Sequence, residues 1–372
     1  MKPITKKQFK DNISSIISDG IVPEIKPGDI NEFKIGKNYF YEIKKNKNLI
    51  KIQKWINSYF QENIQLNNSA VAYRKNFSYL HLFEPHRKNY HFLRLDIKSF
   101  FHSIVIEDII EVFQEYFKDE FIDENKVQSL IEAFINIITY KVPIDSNNEI
   151  FREKQILPMG FNTSPVIANI LFRKLDIQIQ RFCYDKNIVY TRYADDMLFS
   201  SEKNMNYLHS INFENEINIL ISQMNLKLNR NKTIKRKHTL SLNGYTIQYS
   251  KIQKGIIDII DDNEYIISEF RLSNKKIDVI NKLIYLLEIK KETPKKILEK
   301  LFKYQLPQNI PTSKINEYNT HQLINKLTGY RSYLLSIVVF NETYDCCQND
   351  TINKYLKIIE KLNKLINKYS KT

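Results

Sequence analysis

Glycine is scarce in this chain, with seven residues in 372, and proline adds only ten. The proline-containing breaks, such as "IVPEIKPGD" and "KVPIDSNNE", are short, so long flexible linkers are excluded and the parts are expected to pack together. Cysteine is as rare: Cys183 and the neighbours Cys346 and Cys347, with no CxxC pair and no Cys/His spacing of a metal site. That excludes a disulfide framework and leaves reduced thiols in a cytosol as the expectation. No apolar run reaches membrane-spanning length, and "MKPITKKQFKDN" lacks the apolar core of a signal peptide. A soluble cytoplasmic protein with no membrane partner is expected, and no internal repeat is visible.

Hydrophobic residues make up 42% of the chain and charged ones 26%, a globular balance. Lys and Arg number 56 against 42 Asp and Glu, a formal net charge of +14, which points to a polyanionic partner and first of all to nucleic acid. Residues 251–372 hold 21 Lys/Arg against 14 Asp/Glu, half of that excess, in a pattern that is helical from about 270. The last segment, "INKYLKIIEKLNKLINKY", puts Tyr355, Ile358, Ile359, Leu362, Leu365, Ile366 and Tyr369 on one stripe with lysines opposite.

Residues 71–250 are mixed. "YHFLRLDIKSF" alternates, with Leu93, Leu95 and Ile97 on one face and Phe92, Arg94 and Asp96 on the other, so a strand ending near Asp96 is expected. "TSPVIANILFRKLDIQIQRF" predicts a long helix with Thr163 or Ser164 as N-cap and Pro165 in its first turn. "NIVYTRYADDMLFS" predicts a hairpin turning at Ala194, Asp195 and Asp196, and "SLNGYTIQYS" a strand interrupted by Gly244. Two adjacent carboxylates inside an apolar, aromatic run are costly unless something compensates them. If the two strands are neighbours, Asp96, Asp195 and Asp196 converge. Hard oxygen ligands favour Mg²⁺, and a pair of such ions serves phosphoryl transfer.

At this point the sequence resembles the reverse transcriptases, through motifs in a fixed order: "VAYRKNFS", "LRLDIKSFFHSI", "QILPMGFNTSPVIANILF", "YTRYADDMLFS", "LKLNRNKT" and "LSLNGYTI". The resemblance implies an α+β right-hand polymerase. Its palm and fingers carry the catalytic carboxylates on an antiparallel sheet, and an α-helical thumb follows. The implied boundaries are 1–70 for an N-terminal segment leading into the fingers, 71–250 for fingers and palm, and 251–372 for a basic thumb.

The implied roles are specific. Asp96 and Asp195 hold two Mg²⁺ (or Mn²⁺) ions, with the Ile97 backbone beside them and Asp196 in support. Arg74 and Lys75 grip the triphosphate, Lys232 protonates the leaving pyrophosphate, Phe101 lies under the sugar, and Gly160 lets the backbone approach the nucleotide closely. Met159 stands where the family usually has Gln, which leaves nucleotide preference open because a thioether does not bond as an amide does. Asn243, Gly244 and Tyr245 form the primer grip. Lys290, Lys291, Lys295, Lys296, Lys300 and Lys303 meet a nucleic-acid backbone. The implied partners are an RNA template (a dedicated noncoding RNA), a DNA or RNA primer and dNTPs, with a homo-oligomer or an accessory protein left open.

Retron enzymes typically carry an NAxxH segment and a VTG triplet, and neither is here, so the defence-associated, anti-phage group is favoured over a retron. Template-independent or protein-primed DNA synthesis stays open, as does a non-catalytic RNA-binding protein of polymerase descent. His102 has no nameable partner and is read as structural.

Overall fold

Short apolar runs form the central strands of the structure, a computed structural model that describes residues 3–44, 46–202, 205–252, 265–307 and 310–370. Contacts divide the chain into two units. One runs to Leu82 and takes in His91–Lys235; the other combines Phe83–Tyr90 with the residues from Arg236 onward.

The first unit begins with helix α1 (Lys6–Ile13), the hairpin β1 (Ile30–Ile35) and β2 (Asn38–Ile43), and helix α2 (Lys47–Asn63). Strand β3 (His91–Asp96) follows, then α3 (Ile106–Phe113), α4 (Leu130–Ile138), the short pair β4 (Tyr140–Lys141) and β5 (Gln155–Ile156), and α5 (Ser164–Tyr184). The hairpin β6 (Val189–Tyr193) and β7 (Asp196–Ser201) and helices α6 (Met205–Leu208) and α7 (Ile211–Ser222) follow, and β8 (Ile234–Lys237) starts at the end of the unit. Strand order in the main sheet is β6-β7-β3-β8, and β7 runs antiparallel to both β6 and β3. A two-sided burial explains the near-continuous apolar character of the central pair: Phe92, Leu93 and Leu95 of β3 and Met197, Leu198 and Phe199 of β7 are all buried.

Helix α5 starts where its sequence signals say. Thr163 is the N-cap and Pro165 sits in the first turn, where its missing N–H costs nothing. The Thr163 hydroxyl makes no cap bond; Ser164 donates instead to the Pro158 carbonyl at 2.6 Å, tying the helix start to the preceding loop. Ser129 and Glu132 close a capping box at the start of α4. One apolar core runs through this unit from Ile4 to Leu228.

The second unit holds β9 (Thr239–Leu242), β10 (Tyr245–Ile252) and β11 (Tyr265–Leu272), then α8 (Asn274–Glu288), α9 (Pro294–Phe302), α10 (Ile315–Tyr344) and α11 (Asn349–Ser370). "SLNGYTIQYS" is two strands rather than one interrupted strand. Asn243 and Gly244 both take positive φ, 48° and 88°, and make a two-residue hairpin turn in which Leu242 pairs with Tyr245. The expected boundary at 250 falls inside β10, which pairs with β11 along its whole length, and the helical part begins at Asn274. The apolar stripe of α11 is buried at Tyr355, Ile358, Ile359, Leu362 and Leu365. Among the described residues no helix is long and apolar enough to cross a membrane.

Candidate active site

The centre of the first unit is the turn between β6 and β7. Tyr193 pairs with Asp196, so the turn consists of Ala194 and Asp195, with Ala194 at φ +56°. A β-carbon is uncommon in that region and costs on the order of 1–3 kcal/mol unless the surroundings fix it. Here they do: Arg192, fully buried, donates from Nη1 to the Ala194 carbonyl at 3.0 Å. The same guanidinium forks onto Asp176 of α5, Nε to Oδ1 at 2.9 Å and Nη2 to Oδ2 at 2.7 Å. It also lies over the Phe172 ring at 4.3 Å. Sequence reasoning passed over both Arg192 and Asp176. A charged residue inside an otherwise apolar strand was the available signal.

Asp96 and Asp196 are directly opposed in the β3–β7 register, and the Ile97 N–H donates to the Asp195 carbonyl at 3.1 Å. The three carboxylates lie near one another, but not as one ligand cluster. Among the described residues no group of three His, Cys, Asp or Glu side chains is arranged around a single metal position. Arg94 lies against two of the three carboxylates. Its Nη2 bonds both Asp96 Oδ2, at 3.1 Å, and Asp196 Oδ1, and its Nη1 donates to the Lys232 carbonyl at 3.0 Å.

Asp96 Oδ1 is buried and has no hydrogen-bond partner among the described residues. Burial, then the neighbouring Asp196 and Asp96, push the Asp195 carboxyl up to about 6. Asp196 is also raised by burial, against the pull of Arg94. An orphaned buried carboxylate oxygen beside a buried carboxylate crowded by like charges is a donor set that fits a divalent cation. Asp96 Oδ1, the Asp195 carboxylate and the Ile97 backbone would hold it.

Other expected residues take mixed positions. Lys232 puts its Nζ 2.9 Å from Asp96 Oδ2 with the side chain half exposed. Arg74 is partly committed: Nη1 donates to the Asn67 and Ala70 carbonyls at 3.0 and 2.8 Å, and the guanidinium lies over the Phe77 ring. Lys75 beside it is exposed. Phe101 is 7% exposed and Phe100 3%; Phe100 packs edge-on against Phe172, and the two neighbours touch each other.

Gly160 has φ +116°, and the close approach it permits is to protein, since a β-carbon there would stand 2.6 Å from the Tyr41 carbonyl oxygen. Met159 is held by its backbone: its carbonyl accepts from the Tyr41 N–H at 2.8 Å, and its N–H donates to His102 Nε2 at 3.2 Å. His102 therefore has a partner after all, in the loop that carries Met159. Asn243, Gly244 and Tyr245 lie in the second unit, where the Tyr333 hydroxyl donates to the Asn243 carbonyl at 2.6 Å. In the same unit the six lysines from 290 to 303 are all exposed on and around α9, whose Ile297 and Leu298 face inward.

Burial lowers the His102 pKa to about 4. The unfolded chain takes up a proton below the ordinary value near 6.5 and the folded chain does not, so stability is level above that pH and falls between 6.5 and 4. The loss amounts to up to about 3 kcal/mol. Buried His86 of the second unit, lowered to about 3, adds in the same direction. Urea titrations at pH 7.5 and 5 measure the fall, and His102→Gln is expected to reduce it.

A sheet whose antiparallel central strands present two carboxylates at a tight turn, with a lysine and a buried arginine beside them, is the palm of a nucleotide polymerase. The family model described as reverse transcriptase (RNA-dependent DNA polymerase) matches residues 42–247, more than half of the chain, and the chain belongs to that family. Retron Ec73 reverse transcriptase of Escherichia coli is 32% identical over 155 residues, 40% of this chain and 45% of the relative. Retron Ec83 reverse transcriptase, also of Escherichia coli, is 28% identical over 152 residues, 41% of this chain and 45% of the relative. The chain thus spans less than half the length of the curated relatives it matches. Among solved structures, apo telomerase from Candida tropicalis aligns at a TM-score of 0.42 and 13% identity, over 94% of this chain and 59% of that one.

Proposed function

We propose that this protein is an RNA-directed DNA polymerase that extends a primer with dNTPs at Asp96 and Asp195. The observation that carries the proposal is the buried, unpartnered Asp96 Oδ1 beside the crowded Asp195 carboxylate at the palm turn. When bound there, a pair of divalent cations supplies charge neutralisation and an activated 3′-hydroxyl for attack on the α-phosphate.

The chain's own residues do the rest. Asp96 and Asp195 hold the cations, and Arg192 holds the turn on which Asp195 sits. The Lys232 ammonium, beside Asp96, carries the proton that the leaving pyrophosphate takes up. Lys75, with the uncommitted edge of Arg74, meets the triphosphate. His102 and Tyr41 fix the Met159–Gly160 backbone next to the nucleotide. Purified protein, an RNA template with an annealed primer, and four dNTPs in Mg²⁺ test the proposal: extension that stops in EDTA is expected, and none in either Mg²⁺ or Mn²⁺ would refute it.

Sugar choice follows from Phe101. A ring under the sugar leaves no volume for a 2′-hydroxyl, so Phe101→Ala is expected to raise ribonucleotide incorporation relative to dNTPs. Phe100→Ala, which empties a core position against Phe172, is expected to cost about 3–5 kcal/mol of stability instead. The dNTP-to-rNTP ratio and the urea midpoint of both variants separate the two roles. For the second unit, the exposed Lys295, Lys296 and Lys300 are assigned to phosphate contacts. Neutralising all three is expected to reduce the slope of log binding constant against log salt by up to about 3, as read from fluorescence-anisotropy titrations.

A second reading, synthesis on a cognate noncoding RNA as a retron-type enzyme, is favoured by the retron names of the relatives. The missing NAxxH and VTG segments favour instead the anti-phage group in the cytoplasm. Sequencing the co-purifying nucleic acid separates the two, beside plaque counts with and without Asp195→Asn.

A further inference from the structure

We propose that Arg94 is a built-in counter-cation that sets the charge of the metal site: it neutralises Asp196, so that only Asp96 and Asp195 are left to take divalent cations. The inference rests on the metal reading above. Asp96 and Asp196 are directly opposed across β3 and β7, and Arg94 sits two residues before Asp96, on the same face of the same strand. Its Nη2 touches a carboxylate oxygen of each, and Nη1 is anchored on the Lys232 carbonyl. The Arg94 and Asp196 side chains are 14% and 15% exposed, so the charges interact in a medium that screens them weakly.

The two cations of the site differ in kind. Among the described residues Lys232 contacts Asp96 Oδ2 alone, and its side chain is 51% exposed, free to leave when a nucleotide arrives. Arg94 is fixed at three points. Three carboxylates and one fixed guanidinium leave two negative charges for the metals. Without Arg94 there would be three, and Asp196 would compete as a ligand on the far strand. Cations would then bind more tightly but out of line with the reacting groups. A guanidinium that merely fastened β3 to β7 would do the opposite, since its loss would loosen the carboxylates and weaken metal binding along with activity.

The test reads metal binding directly. Mn²⁺ alone is titrated into the full-length protein and free Mn²⁺ is followed by electron paramagnetic resonance, with Asp195→Asn defining the site. Arg94→Met is expected to tighten Mn²⁺ binding roughly tenfold while kcat for dNTP incorporation falls about 10–100-fold. Arg94→Lys, which keeps the charge, is expected to bind Mn²⁺ as wild type does. The double variant Arg94→Met/Asp196→Asn removes both partners and is expected to return Mn²⁺ affinity to the wild-type value. If Arg94→Met does not fold, the double variant, which leaves no unpaired charge on that pair, still decides the matter.

Weaker Mn²⁺ binding in Arg94→Met, or a double variant that binds far from the wild-type affinity, would overturn the inference and leave the polymerase reading standing. No Asp195-dependent Mn²⁺ site in the wild type would overturn both.

Discussion

Asp195→Asn is expected to abolish DNA synthesis while the protein stays folded. The substitution keeps the shape of the side chain and removes the charge that burial, Asp196 and Asp96 all penalise, so stability is expected to hold or rise. The turn does not depend on that carboxylate: its anchors are the Arg192 bond to the Ala194 carbonyl and the Ile97 N–H on the Asp195 carbonyl, and both survive in Asn. On the proposed metal site, losing a ligand charge is expected to cost several kcal/mol of barrier, or a rate lower by about a thousandfold or more. Primer extension beside a thermal melt measures both halves. A folded Asp195→Asn protein that polymerises like wild type would remove Asp195 from the chemistry.

The largest effect on stability is expected at Arg192. Its guanidinium and the Asp176 carboxylate are both fully buried, and the Tyr190 hydroxyl also donates to Asp176 Oδ1 at 2.8 Å. Such a pair adds little net stability over apolar groups of the same volume, but breaking it strands a charge. Arg192→Met is expected to cost about 3–5 kcal/mol, and Asp176→Leu a similar amount. The double variant Arg192→Met/Asp176→Leu is expected to recover most of the stability and little of the activity, because the Ala194 carbonyl still lacks its donor and the turn at φ +56° is no longer held. Urea midpoints and extension rates of the three variants separate the two functions of the pair. If the double variant regains full activity, the arginine is only a stabilising ion pair.

Local features of the palm were legible because they are periodic or chemically marked. Alternation in "LRLDI" located β3, Pro165 located the start of α5, and the paired carboxylates located the turn. What failed to show was register. Arg94 alternates with Asp96 and was assigned to its face, but its reach to Asp196 depends on how β3 lies against β7, and their facing residues are about a hundred positions apart in sequence. Gly160 is expected to let backbone approach the nucleotide closely, and no local signal shows that the Tyr41 backbone, from a hairpin near the start of the chain, also lies against it. His102 lacked a partner for the same reason, since the Met159 N–H comes from a loop more than fifty residues on. The Asn243–Gly244 turn is a different case: its two-residue signal is local and marks a hairpin by itself.

The central claim is that the palm turn copies RNA into DNA, and template dependence tests it most directly. With poly(rA) annealed to oligo(dT) in Mg²⁺, the account requires dTTP to be incorporated, the other three dNTPs to be refused, and Asp195→Asn to incorporate none. Incorporation that ignores the template base, or that persists undiminished in Asp195→Asn, would contradict it.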